Sequence, residues 1–181
     1  MSQFRAAYRY AHAIIGVAEE FKKLDEVTRD FLFLDKLIGS SKELSSFIKS
    51  PIVNKEKKKR AFTELLTNRV SELTLKFVIL LTSKGREELL PEIIRQFYGL
   101  RDQLLGILNV TTRATVSFTP AQEQQLVAQL ERATKKKIRM KYVLDPSLKG
   151  GFSVQHEDTV WDASVRHQLE LLRERFIEGT A

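Results

Sequence analysis

The sequence of 181 residues has no cysteine and only three histidines. Without a thiol the chain cannot form disulfide bonds, bind zinc through cysteine or carry out thiol catalysis. The histidines, His12, His156 and His167, are scattered, which leaves little basis for a metal site. No apolar run reaches the roughly 18–20 residues that a membrane-spanning helix needs. Arg5 and Arg9 interrupt the first apolar stretch, so we expect a chain that is neither exported nor inserted in a membrane.

Enzyme motifs are absent too. The chain has no P-loop, no G-x-G-x-x-G after a predicted strand, no G-x-S-x-G and no H-E-x-x-H. A carboxylate cluster could be imagined from Asp145, Asp158 and Asp162, but these begin a proline turn, lie at a hairpin tip and precede a helix, respectively. Carboxylates in such places usually accept backbone hydrogen bonds. We therefore expect no catalytic site, metal or cofactor, and a small hydrolase using Asp145 or Asp162 is the least favoured alternative.

The composition is that of a globular protein with an excess of positive charge. Hydrophobic residues make up 43% and charged residues 29% of the chain, and the formal net charge is +7. Two basic runs stand out, at 55–60 and 135–141. Nucleic-acid binding needs several cations on one face and aromatic residues that stack on bases, and neither run contains an aromatic residue. We favour solvated surfaces or protein contacts, and keep a nucleic-acid-binding adaptor using 135–141 as the alternative.

Residues 1–105 are predicted to be helical, because apolar positions recur every three or four residues. Asn54 is a good N-cap for a fourth helix, and Gly39 is placed to end the second. A break is predicted at Ser50-Pro51, since the residue before proline avoids the helical region. The predicted helices are an opening helix through Phe21 and then segments at about 24–38, 41–49, 55–66, 70–83 and 86–105.

After residue 105 the apolar period changes from about 3.6 to 2, which marks a domain boundary. A strand is predicted over 108–118, before a helix with Thr119 as its N-cap. The remaining predicted elements are a strand at 138–142, a hairpin of 152–156 and 159–161, and a final helix from about 165. We therefore expect a mainly α chain with a smaller α+β part: a six-helix bundle at 1–105, followed by a β-α-β-β-β-α domain at 106–181.

Two helices of the predicted bundle have more apolar surface than one core-facing side requires. The opening helix has a second apolar row beside its first, and the fifth helix is apolar nearly all round over 73–81. A central, enclosed helix would explain this pattern. The alternative is that the surplus forms an exposed apolar trough, which accepts an amphipathic helix from another protein.

Four segments of the chain match motifs of one protein family. Residues 143–152, VLDPSLKGGF, and 160–165, VWDASV, are similar to its D-P-S-L-x-G-G and D-G-S-V signatures. Residues 9–14, RYAHAI, and the segment from 84, KGR, are similar to its R-Y-A-x-A-L and G-R-x-x-x-L-x-x-I patterns. On these residues the chain resembles the delta subunit of rotary ATP synthases, the family of the mitochondrial oligomycin-sensitivity-conferring protein, over nearly its whole length.

The resemblance implies a non-catalytic stator subunit without a cofactor. In this family the N-terminal bundle binds the N-terminal helix of an alpha subunit between its first and fifth helices. The C-terminal domain contacts the b subunits of the peripheral stalk, so that rotation is coupled to ATP synthesis. We accordingly expect one copy per complex, no nucleic-acid partner, and a location at the cytoplasmic face of the bacterial cell membrane, peripheral through the complex.

The resemblance also implies which residues make these contacts. The alpha-subunit helix is expected to contact one row on each of the first and fifth helices, although periodicity does not decide which row faces it: Tyr10, Ile14, Val17, Leu75, Val78 and Ile79. The stalk is expected to contact Trp161, Val165, Leu169, Leu172 and Phe176. A structural turn is expected at Asp145, Pro146, Gly150 and Gly151, where glycine permits a sharp reversal of the chain.

Overall fold

The computed structural model describes residues 3–50 and 52–178. The chain divides into two compact units between Arg101 and Asp102. The first unit is helical and the second combines helices with one sheet, so the predicted fold class is confirmed. Within the described residues, no helix is both long and apolar enough to cross a membrane.

The described part of the first unit is built from six α-helices. The fourth begins as predicted, with Asn54 Oδ1 accepting a hydrogen bond from Glu56 N at 3.0 Å. The predicted break after the third is seen at Ser50, which is extended, whereas Pro51 lies outside the described residues. The helices are α1 (Gln3–Glu20), α2 (Leu24–Ser40), α3 (Lys42–Lys49), α4 (Lys55–Leu66), α5 (Glu72–Ser83) and α6 (Leu90–Leu104), with a 3-10 turn at Glu87–Leu89 before α6.

Three helix boundaries differ from the prediction by two or more residues. Helix α5 begins at Glu72 instead of about residue 70, because Ser71 caps it. Helix α2 continues past Gly39, because the extended residue Ser41 both ends α2 and caps α3, so that no glycine stop is needed. The segment before α6 forms a 3-10 turn instead of the first turn of a longer helix. The reason is that Pro91 lacks the N–H that an α-helix would bond to the carbonyl of Glu87.

The core of the first unit is organised around Phe31 of α2. The centroid of its ring lies 4.5 Å from that of Phe97 on α6 and 6.1 Å from that of Phe77 on α5, and all three side chains are buried. Burial of one large apolar side chain contributes about 1.5–3 kcal/mol. The three rings therefore hold α2, α5 and α6 together.

One lysine of the basic run at 55–60 points into the first unit. The side chain of Lys58 is 3% exposed, and its Nζ lies 2.6 Å from Glu87 Oε1. The same ammonium donates a hydrogen bond to the carbonyl of Ile48 at 3.0 Å. This buried ion pair links α4 to α3 and to the 3-10 turn, and so the run is not wholly a solvated face.

The described residues of the second unit form a four-stranded sheet, in the order β2-β1-β3-β4. Its elements are β1 (Ile107–Ala114), α7 (Pro120–Thr134), β2 (Lys137–Leu144), a 3-10 turn at Pro146–Leu148, β3 (Phe152–His156), β4 (Thr159–Asp162) and α8 (Val165–Glu178). Strands β1 and β2 are parallel, and β3 is antiparallel to both β1 and β4. The predicted β-α-β-β-β-α order is confirmed, but β1 ends at Ala114 instead of 118, because β2 and β3 offer it no partners beyond that residue.

The sheet has one apolar and one polar face. Helix α7 supplies Leu126 to a small core with Leu108, Val110 and Val154 on the apolar face. This helix begins with a capping box, in which Gln122 N donates to Thr119 Oγ1 and Thr119 N donates to Gln122 Oε1. The polar face carries exposed side chains on β1 and β2, such as Asn109, Arg113 and Arg139.

Candidate partner-binding surfaces

A concave surface lies between α1 and the segment that follows α5. It has a volume of about 560 Å³ and is lined by Gln3, Ala6, Arg9, Tyr10, Ala13 and Arg86. The alanines and the half-buried Tyr10 ring recur at helical spacing along one side of α1, beside the face that packs into the core. The two arginines make the rim basic. We call this surface the α1 concavity.

Six residues were expected to bind an alpha-subunit helix. Four of them are half-buried, at the edges of the sides of α1 and α5 that face the core. They are Tyr10 and Val17 on α1, and Leu75 and Ile79 on α5.

The other two belong to the core. Ile14 is 3% exposed and Val78 is 1% exposed, so neither side chain lies on an open surface of α1 or α5. The buried face of α5 consists of residues three and four apart, Thr74, Phe77, Val78, Leu81 and Thr82. It therefore includes Val78 and leaves Leu75 and Ile79 at its edge.

The sequence did not indicate the remaining residues of the α1 concavity. Ala6 and Ala13 contribute little to an apolar row, because large apolar side chains dominate such a pattern. A signal was nevertheless present, since two small residues flank Tyr10 at positions i−4 and i+3, and small residues allow the close approach of another backbone. Arg86 belongs to the G-R motif segment, and the structure places it beside α1.

Helix α8 exposes a complete apolar row. Val165, Leu169 and Leu172 are 40%, 55% and 52% exposed, and Phe176 continues the row one turn further. Their spacing of four, three and four residues puts them on one side of the helix. Trp161 on the edge strand β4 is exposed as well. All five residues that were expected to contact the stalk are therefore accessible at the surface of the second unit.

The Asp-Pro and Gly-Gly segment fixes the point at which α8 begins. Val165 N donates to the carbonyl of Gly150 at 3.0 Å, and a Cβ on Gly150 would lie 2.8 Å from a methyl group of Val165. Gly151 has φ +76°, and a Cβ there would come within 2.4 Å of the carbonyl oxygen of Ala163. Only glycine combines this backbone conformation with such close packing. The segment thus positions the apolar row of α8.

The carboxylates of Asp145 and Asp162 accept hydrogen bonds within the turns before β3 and α8. Asp145 Oδ1 accepts hydrogen bonds from Ser147 Oγ and N, and these bonds lower the pKa of the carboxyl group. Hydrogen bonds from Ser164 likewise lower the pKa of Asp162. A low pKa keeps both groups ionised, as hydrogen-bond acceptors and not as general acids at neutral pH. The described residues also contain no cluster of three or more potential metal ligands.

Comparison with known proteins gives a consistent result. The sequence model of the family described as ATP synthase delta (OSCP) subunit matches residues 6–176. A protein of Chlorobaculum parvum named ATP synthase subunit delta is 39% identical over 181 residues, covering 100% of both chains. The protein of the same name from Chlorobaculum tepidum is 37% identical over the same length, again with 100% of both chains covered. No comparison supports the nucleic-acid alternative.

The fold is also similar to that of a solved structure. A chain in the cryo-EM structure of the Toxoplasma gondii mitochondrial ATP synthase hexamer aligns with a TM-score of 0.69 and 20% sequence identity. The alignment covers 94% of this chain and 97% of that one. At 20% identity this match shows only that the two chains have a similar fold.

Proposed function

This chain belongs to the ATP synthase delta (OSCP) subunit family, and from that premise we propose that it is the stator clamp between the catalytic head and the peripheral stalk. Membership makes it a structural, non-catalytic subunit of an ATP synthase. A clamp resists the torque of the rotor, so that rotation drives ATP synthesis instead of turning the head.

The exposed apolar row of α8 is the observation that carries this proposal. A solvent-facing helix in a protein that acts alone normally places such residues against its own core. Here the start of α8 is held by Gly150 and Gly151, while Leu169 and Leu172 face outward. A helix whose start is closely packed and whose residues Leu169 and Leu172 are exposed is well suited to packing against helices of another subunit. We assign this surface, with Trp161, to the b subunits of the stalk.

The α1 concavity is the second docking surface of the proposal. An amphipathic helix can place its apolar side against Ala6, Tyr10 and Ala13, since the two alanines leave room for it. Acidic side chains on its flank would meet Arg9 and Arg86 at the rim. We assign this surface to the N-terminal helix of an alpha subunit in the head.

Binding at both surfaces has to last through many turnovers of the rotor. Packed apolar contacts slow dissociation more than screened surface charges do. A nanomolar dissociation constant corresponds to about 12 kcal/mol, which several buried apolar anchors can supply. In this account one copy of the chain serves each complex, at the cytoplasmic face of the bacterial cell membrane and attached through the complex.

A titration with a peptide of the alpha-subunit N-terminus tests the assignment of the α1 concavity. Ala13→Arg fills the concavity with a long charged side chain, whereas His12→Arg adds the same group at an adjacent exposed position outside it. We expect Ala13→Arg to weaken peptide binding at least about tenfold, or about 1.4 kcal/mol, and His12→Arg to leave it nearly unchanged. Equal binding by wild type and folded Ala13→Arg would remove the assignment.

A further inference from the structure

Strand β2 lies at the edge of the sheet, and among the described strands only β1 lies beside it. Lys137 N donates to the carbonyl of Gly106, and Asp145 N donates to that of Ala114. In a parallel pair a residue directs its N–H and C=O to the same side, so the odd-numbered residues of β2 bond to β1 and the even-numbered residues point outward. The N–H and C=O groups of Met140 therefore point away from β1.

One outward N–H of β2 is already used. Ile138 N donates to Glu131 Oε1 of α7 at 3.1 Å. No described residue accepts a hydrogen bond from the N–H of Met140 or of Tyr142. The edge therefore offers a short run of backbone donors and acceptors, of the kind that an additional strand would satisfy.

The apolar side of β2 is incompletely covered. In β1, Leu108, Val110 and Thr112 are 8%, 2% and 0% exposed. Their register partners in β2 are Ile138, Met140 and Tyr142, and these are only half-buried. The difference arises because β1 has a strand on both sides, whereas no described strand flanks β2 on its outer side.

The polar side of β2 carries three cations at every second residue. Arg139 is engaged by Asp102, whose Oδ2 lies 2.6 Å from Arg139 Nη1. Lys137 and Lys141 are exposed, and no carboxylate among the described residues lies within salt-bridge distance of either. Lys135 and Lys136 directly precede the strand and add to the positive charge. The edge therefore favours a negatively charged neighbour.

We propose that β2 accepts an extended segment of a partner protein as a fifth strand, in which acidic residues alternate with apolar residues. Its backbone bonds to Met140 and Tyr142. Its acidic side chains lie beside Lys137 and Lys141, and its apolar side chains complete the half-buried row on the other face. This surface uses neither the α1 concavity nor α8, so the inference goes beyond the proposed stator function.

A second copy of the chain does not match this edge. Two β2 strands side by side would bring lysines and arginines against one another, and like charges on neighbouring strands destabilise their pairing. A helical partner would leave the outward backbone groups of Met140 and Tyr142 unbonded. Charge and backbone geometry therefore select an acidic extended segment.

The probe for this site is the capped peptide Glu-Val-Glu-Ile-Glu-Val, added to the full chain and followed by NMR. We expect shifts along β2 and slowing of amide hydrogen exchange at Met140 and Tyr142 by about tenfold or more at saturation. A peptide of the same composition in blocks, Glu-Glu-Glu-Val-Ile-Val, should bind at least about tenfold more weakly because it cannot alternate. Equal binding of both peptides, or unchanged exchange at Met140 and Tyr142, overturns the proposal.

Two variants separate backbone pairing from charge. Met140→Pro removes an outward N–H and leaves the bonds of β2 to β1 intact, so it should abolish binding, while Met140→Val should retain it. The double variant Lys137→Glu/Lys141→Glu should weaken binding by about tenfold or more, whereas Lys135→Glu/Lys136→Glu carries the same charge change outside the strand and should weaken it less.

A modified probe gives the same information if Met140→Pro does not fold. N-methylation of every second residue of the peptide blocks one of its two edges and leaves only one strand direction, parallel or antiparallel, able to bond to β2, whereas N-methylation of every residue blocks both edges. At least one alternating pattern should therefore bind the wild-type chain, and the fully methylated peptide should not. Binding of the fully methylated peptide overturns the proposal. The proposal is also overturned if the peptide binds only by dissociating a dimer formed through β2.

Discussion

The carboxylate of Asp30 on α2 binds Ser71, the N-cap residue of α5. Asp30 Oδ2 accepts hydrogen bonds from Ser71 N, at 2.9 Å, and from Ser71 Oγ. Ser71 Oγ in turn accepts from Thr74 N in the first turn of α5. One buried carboxylate thus ties together two helices through residues that are 41 positions apart in the chain.

Asp30→Ala should lower the free energy of unfolding by about 2 kcal/mol, because hydrogen bonds to a charged group are worth about 1.5–3 kcal/mol. Asp35→Ala is the matched control, since Asp35 is exposed on the same helix. Its effect should stay within about 0.5 kcal/mol. Chemical denaturation measures both. Equal effects of the two substitutions would show that the bonds to Ser71 do not stabilise the bundle.

Lys58→Ala should destabilise the first unit by about 3–5 kcal/mol, because it leaves the buried carboxylate of Glu87 without its counter-charge. Lys57→Ala changes an exposed lysine of the same run and should cost less than about 0.5 kcal/mol. The double variant Lys58→Met/Glu87→Leu should recover most of the loss in urea denaturation. A double variant as unstable as Lys58→Ala would contradict this account.

Two glycine-to-alanine substitutions should change the stability of the chain in opposite directions. Gly16 lies in α1, and a Cβ added there would meet no other atom within 4 Å, so Gly16→Ala should stabilise the chain by about 0.5–1 kcal/mol. Gly151→Ala should destabilise the second unit by about 2 kcal/mol or more, because of its positive φ and the nearby carbonyl of Ala163. Thermal unfolding distinguishes them, and two shifts of the same sign would be incompatible with this geometry.

The turn before β3 should become less stable at acidic pH. Hydrogen bonds from Ser147 lower the pKa of Asp145 in the folded chain below the ordinary 3.8. Because the folded pKa is depressed, the contribution of Asp145 to stability is complete above about pH 4 and is lost as the pH falls through the folded value. In an NMR titration Ser147→Ala should raise the pKa of Asp145 toward 3.8, whereas Ser117→Ala should not. No change in Ser147→Ala would refute the assigned cause.

Local signals predicted much of the fold. Helix α4 has the predicted bounds because Asn54 is a cap that acts within one turn. The start of α7 follows in the same way from Thr119 and Gln122. The positions of the helices and strands of the second unit could also be predicted, since the change of apolar period depends on neighbouring residues alone.

Features that depend on contacts between distant parts of the chain could not be predicted from the sequence. Periodicity identifies apolar rows on α1 and α5, but the neighbouring helices decide which row is buried, and they bury Ile14 and Val78. In α8 a row typical of a core is exposed, because the small core of the second unit is completed without it. The open edge at Met140 follows from strand order, which no local pattern specifies.

The stator account depends most directly on the apolar row of α8. Leu169→Asp places a charge in the row, and Leu171→Asp makes the same change at an exposed position on another side of the helix. Each variant is assembled with the remaining subunits in membrane vesicles, and ATP hydrolysis and ATP-driven proton pumping are measured together.

We predict that Leu169→Asp retains hydrolysis but loses most proton pumping and releases the head from the membrane, while Leu171→Asp resembles the wild type. Normal pumping by Leu169→Asp, with the head still attached, would contradict the stator account.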